Sequence, residues 1–249
     1  MSMSLFRLSP LRLKANCKHA PSRTYSGSPT YPPGFHFWPS YFSSEEQDVL
    51  LAASLYKLDN TEPRPFRRRR KDYWKSQLVH DSGFPHDLFA PDNMYDFQKG
   101  HFDGVIHDYR EMHLSSWPVD EYPALAPVLE RLYALCPDPP TKFQTHLLHL
   151  ASYGEILPHV DNLEASGSWI LGVSLGDARI LRLNKKEGCD DPNDSFSLTL
   201  PSGCVYLQRD HLRYHYLHSI DKSTSNDRHT GQAQRLSIMI RDQYKDAVL

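Results

Sequence analysis

No acidic side chain occurs in the first 44 residues; the first is Glu45. Ahead of it stand Arg7, Arg12, Lys14, Lys18 and Arg23, set among many serines. A segment without acids and rich in Arg and Ser has the composition of an organelle transit peptide, with a disordered basic tail as the plainer alternative. "RTYS", residues 23–26, favours the transit peptide, because Arg23 stands three positions before a cut between Tyr25 and Ser26. Residues 1–25 are therefore expected to be removed on entry into the mitochondrial matrix. Long apolar runs are also missing. No stretch of 18 apolar residues exists, so no membrane-spanning helix is expected. Cysteine is scarce: Cys17, Cys136, Cys189 and Cys204, with no C-x-x-C pair. That excludes a disulfide framework and a cysteine-rich zinc site. No internal repeat is present.

The formal charge of the full chain is −2, from 28 basic and 30 acidic residues. Removing residues 1–25 takes away five basic residues and no acids, leaving 23 against 30, or −7. Such a balance offers little general attraction to phosphate backbones. One basic cluster stands out, Arg67-Arg68-Arg69-Arg70-Lys71. It reads as a solvated charged loop, with an anion or partner site as the alternative.

The chain is 249 residues long, enough for one sizeable core. Aromatics at 12% and 19 prolines suit a β-rich, loop-rich fold. Residues 26–42 read as an extended arm and 43–249 as the folded domain. "SSEEQDVLLAASLYKL" (43–58) opens on Ser43-x-x-Glu46, a capping box before a helical run. Residues 60–120 show no sustained period and are expected to be long loops with short elements. Leu125, Val128, Leu129, Leu132 and Leu135 recur at helical spacing, predicting a helix over 123–135 that begins at Pro123. After Pro140 come about eight short strands: "FQTHLLHLAS", "ILPHVDN", "SWILGVSLG", "ARILRL", "SFSLTL", "CVYLQ", "YHYLHSI" and "QRLSIMI". Gly176-Asp177 and Pro201-Ser202-Gly203 read as hairpin turns between neighbours. The pattern predicts a mainly β fold with flanking helices, a cupin-like jelly roll whose interior could hold a metal and a small ligand.

In "ILPHVDN", His159 and Asp161 are two residues apart, so a strand points both to the same side. Chance placement of 14 histidines and 21 aspartates in this length gives about one His-x-Asp. Two occur, and the other, His101-Phe102-Asp103, precedes the strand-rich half. Two histidines and one carboxylate leave three positions open on Fe(II). The third ligand must come from His211, His215 or His218 in "RDHLRYHYLHSI". Their spacings would also put all three on one helix face, as a zinc site could. "YLHSI" alternates as a strand, which selects His218 and leaves His211 and His215 as loop or packing residues. Downstream, "QRLSIMIRD" carries Arg235 in an apolar strand and Arg241 six residues later. An arginine inside a barrel needs an anion. A dicarboxylate that chelates iron at one end and meets the guanidinium at the other satisfies this; a salt bridge to an internal carboxylate is the alternative.

Taken in order, "PHVD", "SLGDARILRL", "PSGCVYLQ", "YLHSI" and "RLSIMIR" resemble the AlkB-like Fe(II)/2-oxoglutarate dioxygenases over roughly residues 35–245. "FDGVIHDYRE" upstream is similar to the mitochondrial branch linked with fatty-acid metabolism and programmed necrosis. The resemblance implies a double-stranded β-helix. It implies that His159, Asp161 and His218 hold Fe(II), with 2-oxoglutarate and dioxygen as co-substrates. Arg235 would grip the distal carboxylate of 2-oxoglutarate, and Tyr206, Ser237 and Arg241 would complete that site. It further implies a protein or small-molecule substrate, hydroxylated at a C–H bond. AlkB repair enzymes carry a tyrosine nine residues before the first histidine ligand, where this chain has Leu150. No clear aromatic and basic lid appears over 83–120. Demethylation of mitochondrial RNA or DNA is thus the alternative rather than the leading expectation.

Overall fold

Ser43 starts the first helix as its sequence predicts. Its hydroxyl accepts from the Glu46 N–H at 3.3 Å, and the Glu46 carboxylate accepts from the Ser43 N–H at 2.9 Å. The structure is a computed structural model and describes residues 31–80, 89–137, 143–162, 167–189, 195–224 and 233–242. The expected transit peptide, 1–25, and Cys17 lie outside them. In chain order the elements are β1 (Phe35–Trp38), α1 (Ser44–Thr61), α2 (Arg64–His80), β2 (Gln98–Gly100), β3 (Ile106–Leu114), α3 (Leu125–Tyr133), β4 (Phe143–His159), β5 (Trp169–Gly176), β6 (Arg179–Lys185), β7 (Phe196–Leu200), β8 (Cys204–Arg209), α4 (Asp210–His215), β9 (Tyr216–Ile220) and β10 (Arg235–Asp242).

Ten strands form one continuous antiparallel sheet in the order β1-β8-β5-β10-β4-β9-β6-β7, with β3 on β4 and β2 on β3. Its curl gives it an inner and an outer face. β10 shows the alternation best. Leu236, Ile238 and Ile240 join Leu171, Val173 and Leu207 on the outer face. There they pack beneath α1 (Leu50, Leu58) and α3 (Leu125, Leu132). Arg235, Ser237, Met239 and Arg241 face inward, where a second core gathers Leu148, Leu150, Leu181, Tyr206 and Ile220. Helices outside and a lined interior make the jelly roll that the strand pattern predicts.

Three expectations need correction. The interval 60–120 holds a 17-residue helix, α2, and the strands β2 and β3. The Arg67–Lys71 cluster is therefore helical, not a loop. Arg, Lys and Gln are good helix formers, but of these five basic residues only Arg70 is buried, so no apolar stripe announces the helix. Arg70 is anchored by Glu62, by Asp59 at 3.1 Å and by the Met94 carbonyl at 2.8 Å. Second, "FQTHLLHLAS" and "ILPHVDN" are one strand, β4. Its first part pairs β10 and β3, and its end pairs β9. The ladder to β3 shifts between Leu150, opposite Tyr109, and Glu155, opposite His107, and the Arg179 guanidinium bonds the carbonyls of Ala151, Ser152 and Gly154 there. Third, neither predicted hairpin forms. β5 pairs β8 and β10, while β6 pairs β7 and β9, so Gly176-Asp177 crosses from one half of the sheet to the other. Pro201–Gly203 makes its turn, with the Cys204 N–H bonded to the Pro201 carbonyl at 3.2 Å, and it too is a crossover. Gly176 takes φ +90°, open to glycine at no steric cost.

Candidate metal and co-substrate site

His159, at the end of β4, is the direct cross-strand partner of His218 on β9. Asp161 follows two residues after β4. Their ligand atoms all lie within 4.8 Å of one another, the only such group of His, Cys, Asp or Glu among the described residues. The Nε2 of His159 is 3.1 Å from Asp161 Oδ1, and the Nε2 of His218 is 3.4 Å from the same oxygen. The His159 Nδ1–H donates to the Leu157 carbonyl at 2.9 Å. That tautomer turns the Nε2 lone pair toward a carboxylate oxygen. In the neutral form this arrangement sets an Nε2 lone pair against a carboxylate oxygen, which a cation between them would satisfy, so the residues fit a metal. Burial pushes the Asp161 carboxyl up, but the adjoining imidazoles of His159 and His218 and the charge of Arg241 outweigh it and hold the group well below the usual carboxylate range. Burial draws His218 down against the opposing pull of Asp161. Two neutral imidazoles and one carboxylate, with positions left open, suit Fe(II).

Deeper in the same cavity lies Arg235, 1% exposed. Its Nε donates to the Ser174 hydroxyl at 2.9 Å, and the Tyr206 hydroxyl is close by. One terminal nitrogen has no hydrogen-bond partner, and no carboxylate pairs with Arg235 among the described residues. The internal salt bridge weighed above is absent there. Burial alone pulls this guanidinium below its ordinary range, with Tyr206 and Cys204 opposing. Tyr206 has room because Gly172 stands across from it: a Cβ on Gly172 would collide with the phenol ring. Ser237 also lines the cavity, its hydroxyl 3.4 Å from the Leu148 carbonyl.

Residues 34–241 match the family model described as the 2OG-Fe(II) oxygenase superfamily. The chain belongs to the 2OG-Fe(II) oxygenases. It is 27% identical over 208 residues to the Mus musculus protein named alpha-ketoglutarate-dependent dioxygenase alkB homolog 7, mitochondrial, covering 82% of this chain and 76% of that one. Identity to the Bos taurus protein of the same name is 30% over 150 residues, 58% of this chain. That match spans 65%, just under two thirds, of the bovine protein. Among solved structures, a Pseudomonas putida prolyl-4-hydroxylase superposes over 85% of this chain and 93% of its own, at TM-score 0.46 and 11% identity. The oxygenase is thus an AlkB-like member of a family whose metal is Fe(II) and whose co-substrates are 2-oxoglutarate and dioxygen.

The remaining candidates separate cleanly in this oxygenase. His159, Asp161, His218, Tyr206, Arg235, Ser237 and Arg241 all line the one cavity. Within that cavity the Arg241 guanidinium also reaches Asp161 Oδ2 at 2.9 Å. His211 and His215 stack on α4 with ring centres 4.3 Å apart, and the helix ends before His218. The three histidines share no helix, so the zinc reading falls. His101 and Asp103 bind each other at 2.8 Å at the turn between β2 and β3. Two groups escaped sequence reading. Arg213 on α4, 1% exposed, donates to the Asp161 backbone oxygen at 3.3 Å. His146 lines the cavity with its Nε2 3.0 Å from Glu111. The patterns around both residues, "LRY" and "THL", also occur on ordinary helices and strands, so no local signal could have singled them out.

Proposed function

We propose that this protein is a mitochondrial matrix dioxygenase that uses Fe(II), 2-oxoglutarate and dioxygen to hydroxylate a C–H bond of a protein or small-molecule substrate. His159, Asp161 and His218 would hold the iron, and Arg235, Tyr206 and Ser237 the 2-oxoglutarate, with Arg241 bridging from Asp161. When bound, the iron couples decarboxylation of 2-oxoglutarate, to succinate and carbon dioxide, to transfer of one oxygen atom into the substrate C–H bond. The chain's own residues orient both co-substrate ends, exclude water and keep the imidazoles in the ligating tautomer. Fatty-acid metabolism and regulated necrosis are the processes in which the resemblance sets this activity.

The observation that carries this reading is Arg235: a buried guanidinium with no carboxylate of its own, in the cavity that the His-Asp-His group shares. A dicarboxylate would supply the missing anion. Leu150 is fully buried in the inner core, where AlkB repair enzymes carry tyrosine, which favours a substrate other than a base. The test is succinate formation by the purified protein with Fe(II) and 2-oxoglutarate, with and without candidate proteins, metabolites and methylated RNA or DNA. Succinate stimulated by a protein or metabolite is the expected result. Stimulation by methylated nucleic acid alone, with release of formaldehyde, would replace hydroxylation by N-demethylation. No succinate under any condition, from protein that binds iron, would overturn the enzymatic reading.

A further inference from the structure

The basic run that sequence reading set aside becomes an ordered surface once α2 forms. Arg64, Arg67, Arg68, Lys71 and Lys75 lie on one side of the helix, each three or four residues from at least one other of the set. At about 100° and 1.5 Å per residue they fall within an arc of about 100° and run about 16 Å along the axis. All five are exposed. Arg68 makes one loose pair with Asp72 at 3.9 Å, both side chains being exposed. Among the described residues no carboxylate lies within ion-pair distance of Arg64, Arg67, Lys71 or Lys75. Like charges three and four residues apart repel, yet the rest of the chain is acidic enough to bring the total to −2. The helix is held regardless, because Arg70 on its buried side is tied to Glu62 and Asp59 and Arg69 reaches the Asn93 carbonyl at 2.9 Å.

We propose that this stripe is a docking surface for an anionic membrane, with the lipid headgroup phosphates as its occupant. The location of α2 favours a membrane over a nucleic acid. Asp59, which holds Arg70, also binds Arg110 at 2.7 Å. Arg110 projects from the outer face of β3, where its Nε donates to His149, the neighbour of Leu236 on that same outer face. The cavity opens on the inner face. A nucleic acid delivering a base to the cavity would need cations along the cavity rim, and these lie across the sheet from it. A headgroup plane makes no demand on the cavity and meets a straight row of cations evenly. Trp74, half-buried on the flank of the stripe, is the side chain suited to the headgroup boundary.

The experiment is co-sedimentation of the full-length chain with vesicles of phosphatidylcholine alone, or with a large share of phosphatidylglycerol, at physiological salt. It is compared with a variant carrying Arg64→Gln, Arg67→Gln, Lys71→Gln and Lys75→Gln. The variant keeps the N-terminal cations, so any loss belongs to α2. The wild-type chain is expected to bind the anionic vesicles and not the neutral ones. At about fivefold in partition coefficient per basic residue, the variant should bind at least two orders of magnitude more weakly. Unchanged circular dichroism and 2-oxoglutarate binding establish that it is folded. A second variant, Arg64→Lys with Arg67→Lys, keeps the charge and should keep the binding. Equal binding to both vesicle types, or equal binding by wild type and the glutamine variant, would overturn the proposal. So would binding of single-stranded RNA that the glutamine variant loses while vesicle binding does not change.

Discussion

Asp161 meets two imidazoles and two arginines, Arg241 on its carboxylate and Arg213 on its backbone oxygen. Asp161→Ala removes one of the three proposed ligands and the only anionic one, so iron or cobalt titration should show metal binding lost while the fold persists. Asp103→Ala, whose partners are His101 and the Val105 N–H, should leave that titration unchanged. The reverse pair of results would place the metal at the other His-x-Asp. Arg235→Leu should weaken 2-oxoglutarate far more than metal. Loss of a buried charged contact costs about 2–5 kcal/mol, or roughly 30- to several-thousand-fold in affinity. Anaerobic titration of the iron-loaded variant reads this, and an unchanged dissociation constant rejects the assignment. Burial pushes the Cys136 and Cys204 thiols up to about 12. In the unfolded chain a thiol loses its proton near about 8.5. Between those values the unfolded state releases protons that the folded state retains, so stability should fall as pH rises through that window. Denaturant midpoints measured across it, in wild type and Cys204→Ala, test the sign. Of these residues, His159, Asp161 and Arg235 stood out in the sequence because ligating or charged groups sat in apolar runs. Arg213 did not, because its partner lies 52 positions away.

β4 decides how the site is assembled. Its irregular middle frees the carbonyls of Ala151, Ser152 and Gly154, and Arg179 takes them together with those of Ala233 and Asp221. Beyond it the strand can leave β10 and bring His159 opposite His218. Arg179→Met deletes a fully buried guanidinium and strands Asp177, its ion-pair partner at 3.1 Å. The expected loss is about 3–5 kcal/mol in denaturant unfolding. Because the irregularity also sets the approach of His159, metal affinity should fall more than in Ser43→Ala. That substitution removes a helix cap worth about 1 kcal/mol on the far side of the core. Equal metal affinity in the two variants would separate Arg179 from the site. Element boundaries from β5 to β10 and the start of α1 were legible, since apolar alternation and capping are local. α2 was not, because among its described side chains the buried one is Arg70 rather than an apolar stripe. The two crossovers looked like hairpins because a turn is the same local object whether or not its strands pair.

At the scale of the whole molecule, an acid-free N-terminal segment precedes a folded body that begins by Tyr31. Matrix import with cleavage near Tyr25 is the expected outcome. Mass spectrometry of protein recovered from mitochondria should find an N-terminus at or near Ser26, and intact Met1 from the matrix would reject it. Charge then divides the body: a cationic stripe on α2 outside the sheet, and inside it a cavity lined by Asp161, Arg235 and Arg241. The sequence alone determined the jelly roll, the cap of α1 and the pairing of His159 with Asp161, because alternation, capping and His-x-Asp are relations between residues a few positions apart. The tertiary structure alone decided that Arg241 and Arg213 reach Asp161, and that Arg235 is left without a carboxylate among the described residues. Those outcomes depend on which strands become neighbours in the curled sheet, and strand neighbours here come from opposite ends of the domain.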